Sequence, residues 1–441
     1  MAEYQHSVTL DFDSCHGCIT CVKRCPTEAI RVRGGKAKIL QDRCIDCGEC
    51  IRVCPHHAKR AVTDHLAQME GFRYTIALPA PALYGQFTNL DDAEIVLQGL
   101  LKMGFDEVYE VAAAAELISD ATRLLFSQGA LERPVISSAC PAVLRLIRVR
   151  FPDLLDNVLP LVAPVELAAR MAKRAAARRT GIPAGEIGCV FISPCPAKVT
   201  AAKNPLGSSR SEIDLVVSVG EVYPLLCSAM KKAAEDGEEL AAAGRTGIGW
   251  GRSGGEAAAT LHEQYLAADG IENVIRVLED MEDEKLRGLD FVELGACSSG
   301  CVGGVLNIEN PYVAATRLKR LGRYRPVSCN HLDHVIPPDA KWDREVDYLP
   351  VMRLDPNPAR AMALMGRMGE VEERLRGLDC GSCGAPSCRA MAEDVVRGYN
   401  VEEGCIYLLH DKIEAVLKKL SADGIEIDIE PKKEPEKEGA L

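Results

Sequence analysis

The chain has 441 residues, a net charge of −12 and 19 cysteines. The acidic balance argues against nucleic acid as the main partner, and the lack of any uncharged apolar run of about 18 residues argues against a membrane span. The first residues lack the order of a secretory or twin-Arg signal, so we expect a cytoplasmic protein with reduced thiols. Cysteines clustered at short spacings then indicate metal ligands and not disulfides.

Composition and patterning predict a multidomain protein in four parts that combines α+β and α/β folds. Residues 1–70 hold eight cysteines in two copies of one motif. Residues 71–350 alternate apolar strand candidates with helical stretches, which predicts an α/β core with largely parallel sheets. Residues 351–425 are expected to form a small helical module, and the charged residues 426–441 a disordered tail.

The motif of residues 1–70 has the spacing Cys-x2-Cys-x2-Cys-x3-Cys-Pro and starts at Cys15 and again at Cys44. It is the spacing of two-cluster bacterial ferredoxins, in which three cysteines of a run bind one 4Fe-4S cluster and the fourth binds the other. Structural zinc is disfavoured, because it usually takes Cys-x2-Cys pairs separated by a longer span. The predicted ligands are Cys15, Cys18, Cys21 and Cys54 for one cluster, and Cys44, Cys47, Cys50 and Cys25 for the other.

The core offers several strand candidates, and three of them lead into cysteine-containing loops. The candidates are residues 75–78, 133–137, 188–192, 213–219, 273–278 and 291–294, and the loop cysteines are Cys140, Cys195, Cys297 and Cys301. Ligands of parallel α/β folds bind beyond the carboxyl ends of strands. These thiols are therefore candidates for a third 4Fe-4S cluster, with ordinary buried cysteines as the alternative. We expect Gly300, Gly303 and Gly304 to let the backbone approach a bulky inorganic group.

Together with the N-terminal motif, these loops resemble the three signatures of the iron-only hydrogenases over roughly residues 1–345. The resembling segments are residues 137–141 (SSACP), 193–198 (SPCPAK) and 293–304 (ELGACSSGCVGG). The resemblance implies that the four loop cysteines hold the cubane of an active-site cluster. It also implies that Cys301 bridges to a two-iron subsite with carbon monoxide and cyanide ligands. Lys198 occupies the place of a lysine that donates to a cyanide, and Pro81 and Ala82 the place of an Ala-Pro-Ser segment that lines the subsite.

Several positions depart from the family pattern. Ala139 stands where catalytic members carry a cysteine that passes protons to the cluster, and alanine can neither donate nor accept a proton. Ser193 and Gly295 replace two usual methionines, and Ala82 and Ala163 stand where a serine is expected. Such neighbours tune the potential and the proton affinity of a cluster, so each change bears on function.

The rest of the family's proton relay is expected near residues 109–125, where the acidic candidates are Glu110, Glu116 and Asp120 and none fits well. A route through water or Ser193 is an alternative. We expect reversible H2 activation at low turnover, used to sense H2 or redox state, as in the sensory branches of the family that lack the relay cysteine. The alternatives are an electron-transfer or scaffold protein without the two-iron subsite, and a fast hydrogenase in an electron-bifurcating complex.

Residues 351–425 contain one further cysteine set, formed by Cys380, Cys383, Cys388 and Cys405. It resembles the small four-cysteine iron–sulfur domain of sensory hydrogenases, which implies a fourth 4Fe-4S cluster, with zinc as the alternative. Helices are predicted over 389–398 and 402–420. The expected role of this module is an electron exit or a docking point.

Four 4Fe-4S clusters and one two-iron subsite use 16 of the 19 cysteines. The remaining Cys189, Cys227 and Cys329 are expected to be ordinary buried thiols. A Gly-x-Gly-x2-Gly match at 249–254 lacks the downstream acid of a dinucleotide site, and it resembles a family segment beside the active-site cluster. The expected partners are H2, protons and a redox or signalling protein, and homo-oligomerisation stays open.

Overall fold

The computed structural model describes residues 6–129, 131–233 and 239–422. The chain divides between Met352 and Arg353 into two compact units, each with a hydrophobic core. The tail predicted over 426–441 lies outside the described residues. Within the described ranges, no helix is long and apolar enough to cross a membrane.

The N-terminal residues form two small antiparallel strand pairs around the cysteines. The elements are β1 (Val8–Leu10), α1 (Thr20–Lys23), β2 (Ile30–Arg33), β3 (Lys36–Ile39), α2 (Glu49–Arg52) and β4 (Lys59–Ala61). Strand β1 pairs with β4, and β2 pairs with β3. Few large side chains fill the interior, where Val8, Val22 and Ile30 pack against cysteine side chains. So small an apolar interior is expected where a bulky group completes the core.

The described core contains seven strands in two parallel sheets. The strands are β5 (Tyr74–Pro79), β6 (Glu107–Val108), β7 (Val135–Ile136), β8 (Ile187–Ser193), β9 (Leu215–Ser218), β10 (Tyr265–Asp269) and β11 (Phe291–Gly295). The first sheet has the order β6-β5-β8-β9 and the second the order β10-β11-β7, and all of these pairs are parallel. Strand β8 is buried at every residue, because helices cover both faces of its sheet.

Helices surround the two sheets. They are α3 (Pro81–Tyr84), α4 (Glu94–Lys102), α5 (Val111–Gln128), α6 (Pro141–Arg150), α7 (Pro164–Thr180), α8 (Pro196–Lys203), α9 (Val219–Ala233), α10 (Arg245–Gly249), α11 (Gly255–Ala259), α12 (Ile271–Glu282) and α13 (Pro311–Leu321). Side chains alternate along β8. Phe191 packs with α5 and α7 on one face, and Val190 and Ile192 pack with α4 and α9 on the other. The predicted parallel α/β core is confirmed.

One predicted strand is wrong, because residues 273–278 lie inside helix α12. Ile271, Val274, Leu278 and Met281 recur at three- and four-residue spacings and are the buried residues of this helix. A short apolar run does not by itself distinguish a strand from a buried helix face. The strand of this region is β10, which precedes the helix.

The C-terminal unit consists of α14 (Pro358–Arg374), α15 (Cys388–Val396) and α16 (Ile406–Ala422). The bounds of α15 and α16 agree to within a few residues with those of the predicted helices 389–398 and 402–420. Met368, Val371, Ala390 and Met391 belong to its core. Across the described chain, one- and two-turn 3-10 helices occur at residues 41–43, 66–71, 152–154, 184–186, 301–303, 322–324, 338–340 and 402–404.

Candidate functional site

Four core helices begin at one cavity, each with proline as its first residue. Proline suits this position because an N–H there has no partner within the helix, and because its φ is preset. The residues before these prolines are Ala80, Cys140, Ala163 and Cys195, which precede α3, α6, α7 and α8. Strands β5, β7 and β8 lead into three of the helices, so the carboxyl ends of both sheets meet at the cavity.

The cavity has a largely apolar wall. The predicted site residues that line it are Pro81, Ala82, Ala139, Lys198 and Gly295, together with Cys140, Cys195, Cys297 and Cys301. Ser193 is fully buried, and its hydroxyl donates to the carbonyl of Cys195. The structure therefore corrects the expectation that Ser193 faces the site, because this hydroxyl holds the cysteine loop.

The four loop cysteines converge, although three separate loops carry them. Each of the thiols of Cys140, Cys195 and Cys297 interacts electrostatically with others of the set, Cys301 included. Burial raises the pKa of Cys195 to about 11, and burial likewise raises the pKa of Cys140 and of Cys297. Such thiols keep their protons unless metal cations displace them. This donor set therefore fits an iron group.

Lys198 lies against this set, with its Nζ 3.2 Å from the Sγ of Cys301. Burial by itself lowers the pKa of Lys198. The negative charges of Cys301, Cys195 and Cys140 in their thiolate forms raise this pKa by more, so the net direction is upward. The amine is thus held as a cation at the cavity wall. A cation in this place can donate to an anionic ligand of a metal group.

Glycines of the third loop allow the loops to approach one another. A Cβ at Gly304 would lie 2.1 Å from the carbonyl oxygen of Pro194 in the second loop, and one at Gly300 would lie 2.5 Å from the amide nitrogen of Ser253. Gly303 is closed off in the same way by its own loop. Gly300 lines the cavity, as expected of a glycine that lets the backbone approach a bulky group, whereas Gly303 and Gly304 serve to pack the loops together.

The glycine-rich segment 249–254 lies beside the four loop cysteines at the same cavity, as its resemblance to the family segment implies. Trp250, Gly251 and Arg252 line the same cavity. A Cβ at Gly251 would lie 3.1 Å from the amide nitrogen of Ala82. This glycine therefore lets the segment pack closely on the start of α3.

Two carboxylates of the cavity wall, the buried Glu256 and the half-buried Glu293, were missed by sequence reasoning. Glu256 is 6% exposed, and its Oε2 accepts a hydrogen bond of 2.6 Å from the hydroxyl of Ser137. That hydroxyl also accepts from the amide of Ala139. The carboxyl of Glu293 accepts from two backbone amides at the start of α11. The sequence did offer a signal for these two carboxylates, because Glu256 follows the glycine-rich segment 249–254 and Glu293 begins the segment 293–304.

The two carboxylates favour one shared proton. Burial and the neighbouring charge of Glu293 raise the pKa of Glu256 to about 8, against the smaller effects of Ser137 and Lys198. Burial also raises the pKa of Glu293, whereas backbone amides and Arg252 lower it. Two carboxylates in one dry site cannot readily both ionise. The pair therefore holds a proton at neutral pH beside the Ala139 loop.

The acidic residues considered for a proton relay do not line the cavity. Glu110, Glu116 and Asp120 each accept hydrogen bonds from backbone amides of later loops. Helix α5 presents Val111 and Ala115 to the cavity instead. These three carboxylates therefore anchor loops, and the structure rules them out as neighbours of the site.

The N-terminal cysteines converge in the two predicted sets. Cys21 interacts electrostatically with Cys15, Cys18 and Cys54, which we call the first cage. Cys47 interacts with Cys25, Cys44 and Cys50, which we call the second cage. Burial raises the pKa of Cys21 to about 11 and that of Cys50 to about 12. Each run thus contributes its fourth cysteine to the other cage.

The second cage adjoins the loops that carry the four core cysteines. Gly48 packs against Val305 and Pro196. The guanidinium of Arg52 donates to the carbonyl of Gly303 at 2.7 Å. Ile45, between two of the cage cysteines, belongs to the same buried cluster as Ala197.

The cysteines of the C-terminal unit also share one small cavity. It is lined by Cys380, Cys383, Cys388 and Cys405. The carboxylate of Asp379 accepts from the amide of Cys388 at 2.6 Å, and the hydroxyl of Ser387 caps α15. These bonds fix the loop that brings the cysteines together.

The three remaining cysteines differ in exposure. Cys189 is fully buried, and burial raises its pKa to about 12, so the prediction for this residue is confirmed. Cys227 is half-buried. The prediction is wrong for Cys329, which is exposed in a loop whose amides bind Glu116.

Three family models match segments of the chain. The model of the iron only hydrogenase large subunit, C-terminal domain, matches residues 73–267. The 4Fe-4S dicluster domain matches residues 7–55, and a short Fe-S cluster model matches residues 375–407. These segments contain the two N-terminal cages, the first two active-site loops and the C-terminal cysteines.

Curated relatives carry hydrogenase names. The NADP-reducing hydrogenase subunit HndD of Solidesulfovibrio fructosivorans is 26% identical over 211 residues, 44% of this chain and 35% of the relative. Iron hydrogenase 1 of Clostridium pasteurianum is 26% identical over 223 residues, 48% of this chain and 38% of the relative. The periplasmic Fe hydrogenase large subunit of Nitratidesulfovibrio vulgaris is 26% identical over 321 residues, 67% and 75% of the two chains. The alignments thus span little more than a third of the first two relatives.

Solved structures of similar shape are FeFe-hydrogenases. A variant of HydA1 from Chlamydomonas reinhardtii has a TM-score of 0.46 and 18% identity, and the match covers 62% of this chain and 91% of that one. A structure on stepwise H-cluster assembly in HydA has a TM-score of 0.45 and 18% identity, covering 60% and 88%. The family models and the named relatives thus show that this chain is similar to the iron-only hydrogenases over residues 73–267 and to 4Fe-4S dicluster domains over residues 7–55.

Proposed function

We propose that the protein activates H2 reversibly (2H+ + 2e− = H2) at a two-iron subsite linked to a cubane on the four loop cysteines. We also propose that turnover is slow and serves to sense H2 or redox state. The observation that carries the proposal is the Nζ of Lys198, 3.2 Å from the sulfur of Cys301 at the cavity wall. At this place the ammonium can donate to the cluster thiolate and also to an anionic ligand of a neighbouring two-iron group.

The residues present fit such a group. The four loop cysteines would hold the cubane, Lys198 would donate to an anionic ligand, and Pro81 and Ala82 would wall the subsite. When bound, the two-iron group would supply an open iron position at which H2 is split heterolytically. The apolar wall of the cavity would keep bulk water away from that position.

Proton transfer would rely on Glu256, because Ala139 has no group that holds a proton. The carboxyl of Glu256 keeps its proton at neutral pH, and the hydroxyl of Ser137 orients it. It would act as the acid in H2 formation and as the base in H2 oxidation. The relay thiol of catalytic relatives is missing at Ala139, which supports slow turnover.

Electrons would pass between the active-site cluster and clusters in the second and the first cage. The contacts of Gly48 and Arg52 with the active-site loops support this order. A fourth 4Fe-4S cluster on the C-terminal cysteines would serve as an electron exit, where a redox or signalling protein docks.

The proposal is tested by infrared spectroscopy of the anaerobically matured chain, under argon and then under H2. We expect cyanide and carbonyl bands that shift when H2 is admitted, together with slow H2 production. Bands that do not respond to H2 would contradict the proposed chemistry. A low rate with a strong response to H2 is the combination expected of a sensor.

An electron-transfer protein without the two-iron subsite is the second candidate. Ala82, Ala139 and Ala163 all face the cavity, so its wall lacks the thiol and hydroxyls expected of a catalytic member. For this candidate, we expect loaded cubanes and no cyanide or carbonyl bands, under conditions where a known hydrogenase matures normally.

A further inference from the structure

We infer that Lys59 sets the reduction potentials of the two N-terminal clusters apart, because its buried positive charge acts on two sulfurs of the first cage and on only one of the second. The inference rests on the proposed assignment of one 4Fe-4S cluster to each cage. It goes beyond that assignment, because it specifies which cage holds an electron more tightly.

The two cysteine motifs place Lys59 and Ile30 at equivalent positions, each five residues after the last cysteine of its run. The local backbone is the same in both repeats. Glu28 and His57 have φ of 51° and 50°, and the alanine amide that follows donates to the cysteine sulfur at 3.2 and 3.3 Å. Both Lys59 and Ile30 begin a strand, and both are 2% exposed. An amine therefore replaces apolar atoms at an equivalent buried position.

The side chains of these two residues have different cage neighbours. Ile30 lines the cavity of the second cage. Lys59 interacts with the sulfurs of Cys21 and Cys54 in the first cage, and also with that of Cys50. The Nζ of Lys59 is buried and has no hydrogen-bond partner among the described residues. A buried cation without a partner is strongly unfavourable, so an anionic cluster in the first cage is the counter-charge that this position requires.

The second cage carries a charge of opposite sign. Asp46 takes the position that Gly17 has in the first repeat. Its side chain is fully buried, and its Oδ1 lies 3.9 Å from the Sγ of Cys44. The amide of Val8 and the ring of His6 hold this carboxylate in place. The surroundings of the two cages therefore differ, because Lys59 acts on more sulfurs of the first cage and Asp46 lies beside a cysteine of the second.

A 4Fe-4S cluster gains one negative charge on reduction. A buried cation stabilises the reduced form and raises the potential, and a buried carboxylate does the reverse. The first cage is therefore the more easily reduced. The second cage adjoins the active-site loops through Gly48 and Arg52. Oxidation of one H2 yields two protons and two electrons, one electron for each cluster. Lys59 would draw the first electron away from the active site and hold it at the first cage.

The test is an EPR-monitored redox titration of the anaerobically matured full chain. Lys59→Met removes the charge at similar length, and Lys59→Ile copies the residue of the other repeat. The matched control is Arg60→Met, which removes the neighbouring positive charge, an exposed one paired with Asp11. In Lys59→Met and in Lys59→Ile, we expect the midpoint potential of the first-cage cluster to become more negative, and to shift by more than that of the second-cage cluster. Arg60→Met should leave both nearly unchanged, and Lys59→Arg should keep their order.

A charge exchange sharpens the test, because Ile30→Lys combined with Lys59→Ile should reverse which cluster is reduced first. Equal, small shifts in Lys59→Met and Arg60→Met at full iron content would overturn the inference and leave the cage assignment intact. Iron loss from both Lys59 variants, but not from Arg60→Met, would also overturn it, since Lys59 would then serve cluster binding. No N-terminal 4Fe-4S signal in the unchanged protein would contradict the cage assignment itself.

Discussion

Replacing Glu256 by glutamine tests whether the buried carboxyl pair supplies the proton of the reaction. Glutamine keeps the shape and can still accept from Ser137, but it has no exchangeable acid proton. Because the carboxyl lines the cavity beside the Ala139 loop, the change removes the proton carrier and leaves the cysteines untouched.

The expected magnitude follows from the pKa of Glu256, which burial and Glu293 raise to about 8. The carboxyl is then largely protonated at neutral pH, so it is a ready donor. A positioned acid–base group typically contributes about 10²–10⁴-fold. We expect H2 production by Glu256→Gln to fall by about 100-fold or more. The loss of activity on the alkaline side, near pH 8, should also disappear.

The assay is H2 production at several pH values, with iron content and infrared bands measured on the same samples. Glu110→Gln is the matched control, since Glu110 is also buried with a raised pKa but lies outside the cavity wall. It should keep turnover near that of the unchanged protein. If Glu256→Gln kept full activity with an unchanged pH profile, the carboxyl pair would not be the proton carrier.

The other predictions concern the same site, its stability and the C-terminal cysteines. Ala139→Cys should raise H2 production by about tenfold or more; no change would show that the missing thiol does not limit the rate. Lys198→Met should abolish the cyanide and carbonyl bands while the cubane iron stays bound, and retained bands would contradict its proposed role. In the cluster-free protein, folded Glu256 keeps its proton to a higher pH than unfolded Glu256 does. The free energy of unfolding should therefore fall as the pH rises from about 4.5 to about 8. Urea unfolding at several pH values should show that Glu256→Gln lacks this slope. Cys388→Ser should remove the EPR signal of one 4Fe-4S cluster and leave the infrared bands unchanged.

The spacing of the cysteines along the chain was sufficient to predict which of them come together. Two residues between cysteines, and a proline after the last, predicted which thiols of residues 15–54 share a cage, and the structure brings those thiols together. Apolar runs of strand length predicted the parallel core, because a strand that is buried on both faces of its sheet has an uninterrupted apolar sequence. Residues 273–278 show the limit of that pattern, because the same apolar content suits one face of α12.

Tertiary structure decided which polar groups serve the site. Glu256 and Glu293 are 37 positions apart, and only the packing of α11 beside β11 makes them one proton-holding pair. In the sequence, Glu110 and Glu116 are equally plausible proton carriers. In the structure, their carboxylates accept hydrogen bonds from loop amides and lie away from the cavity. The proposed role of Lys59 likewise depends on the fold, because a lysine usually reaches solvent and here it is enclosed with the cage sulfurs. The physical reason is that the spacing of cysteines in one loop fixes the relative positions of their thiols through a short stretch of backbone. The charge and proton affinity of a buried group depend on everything packed around it.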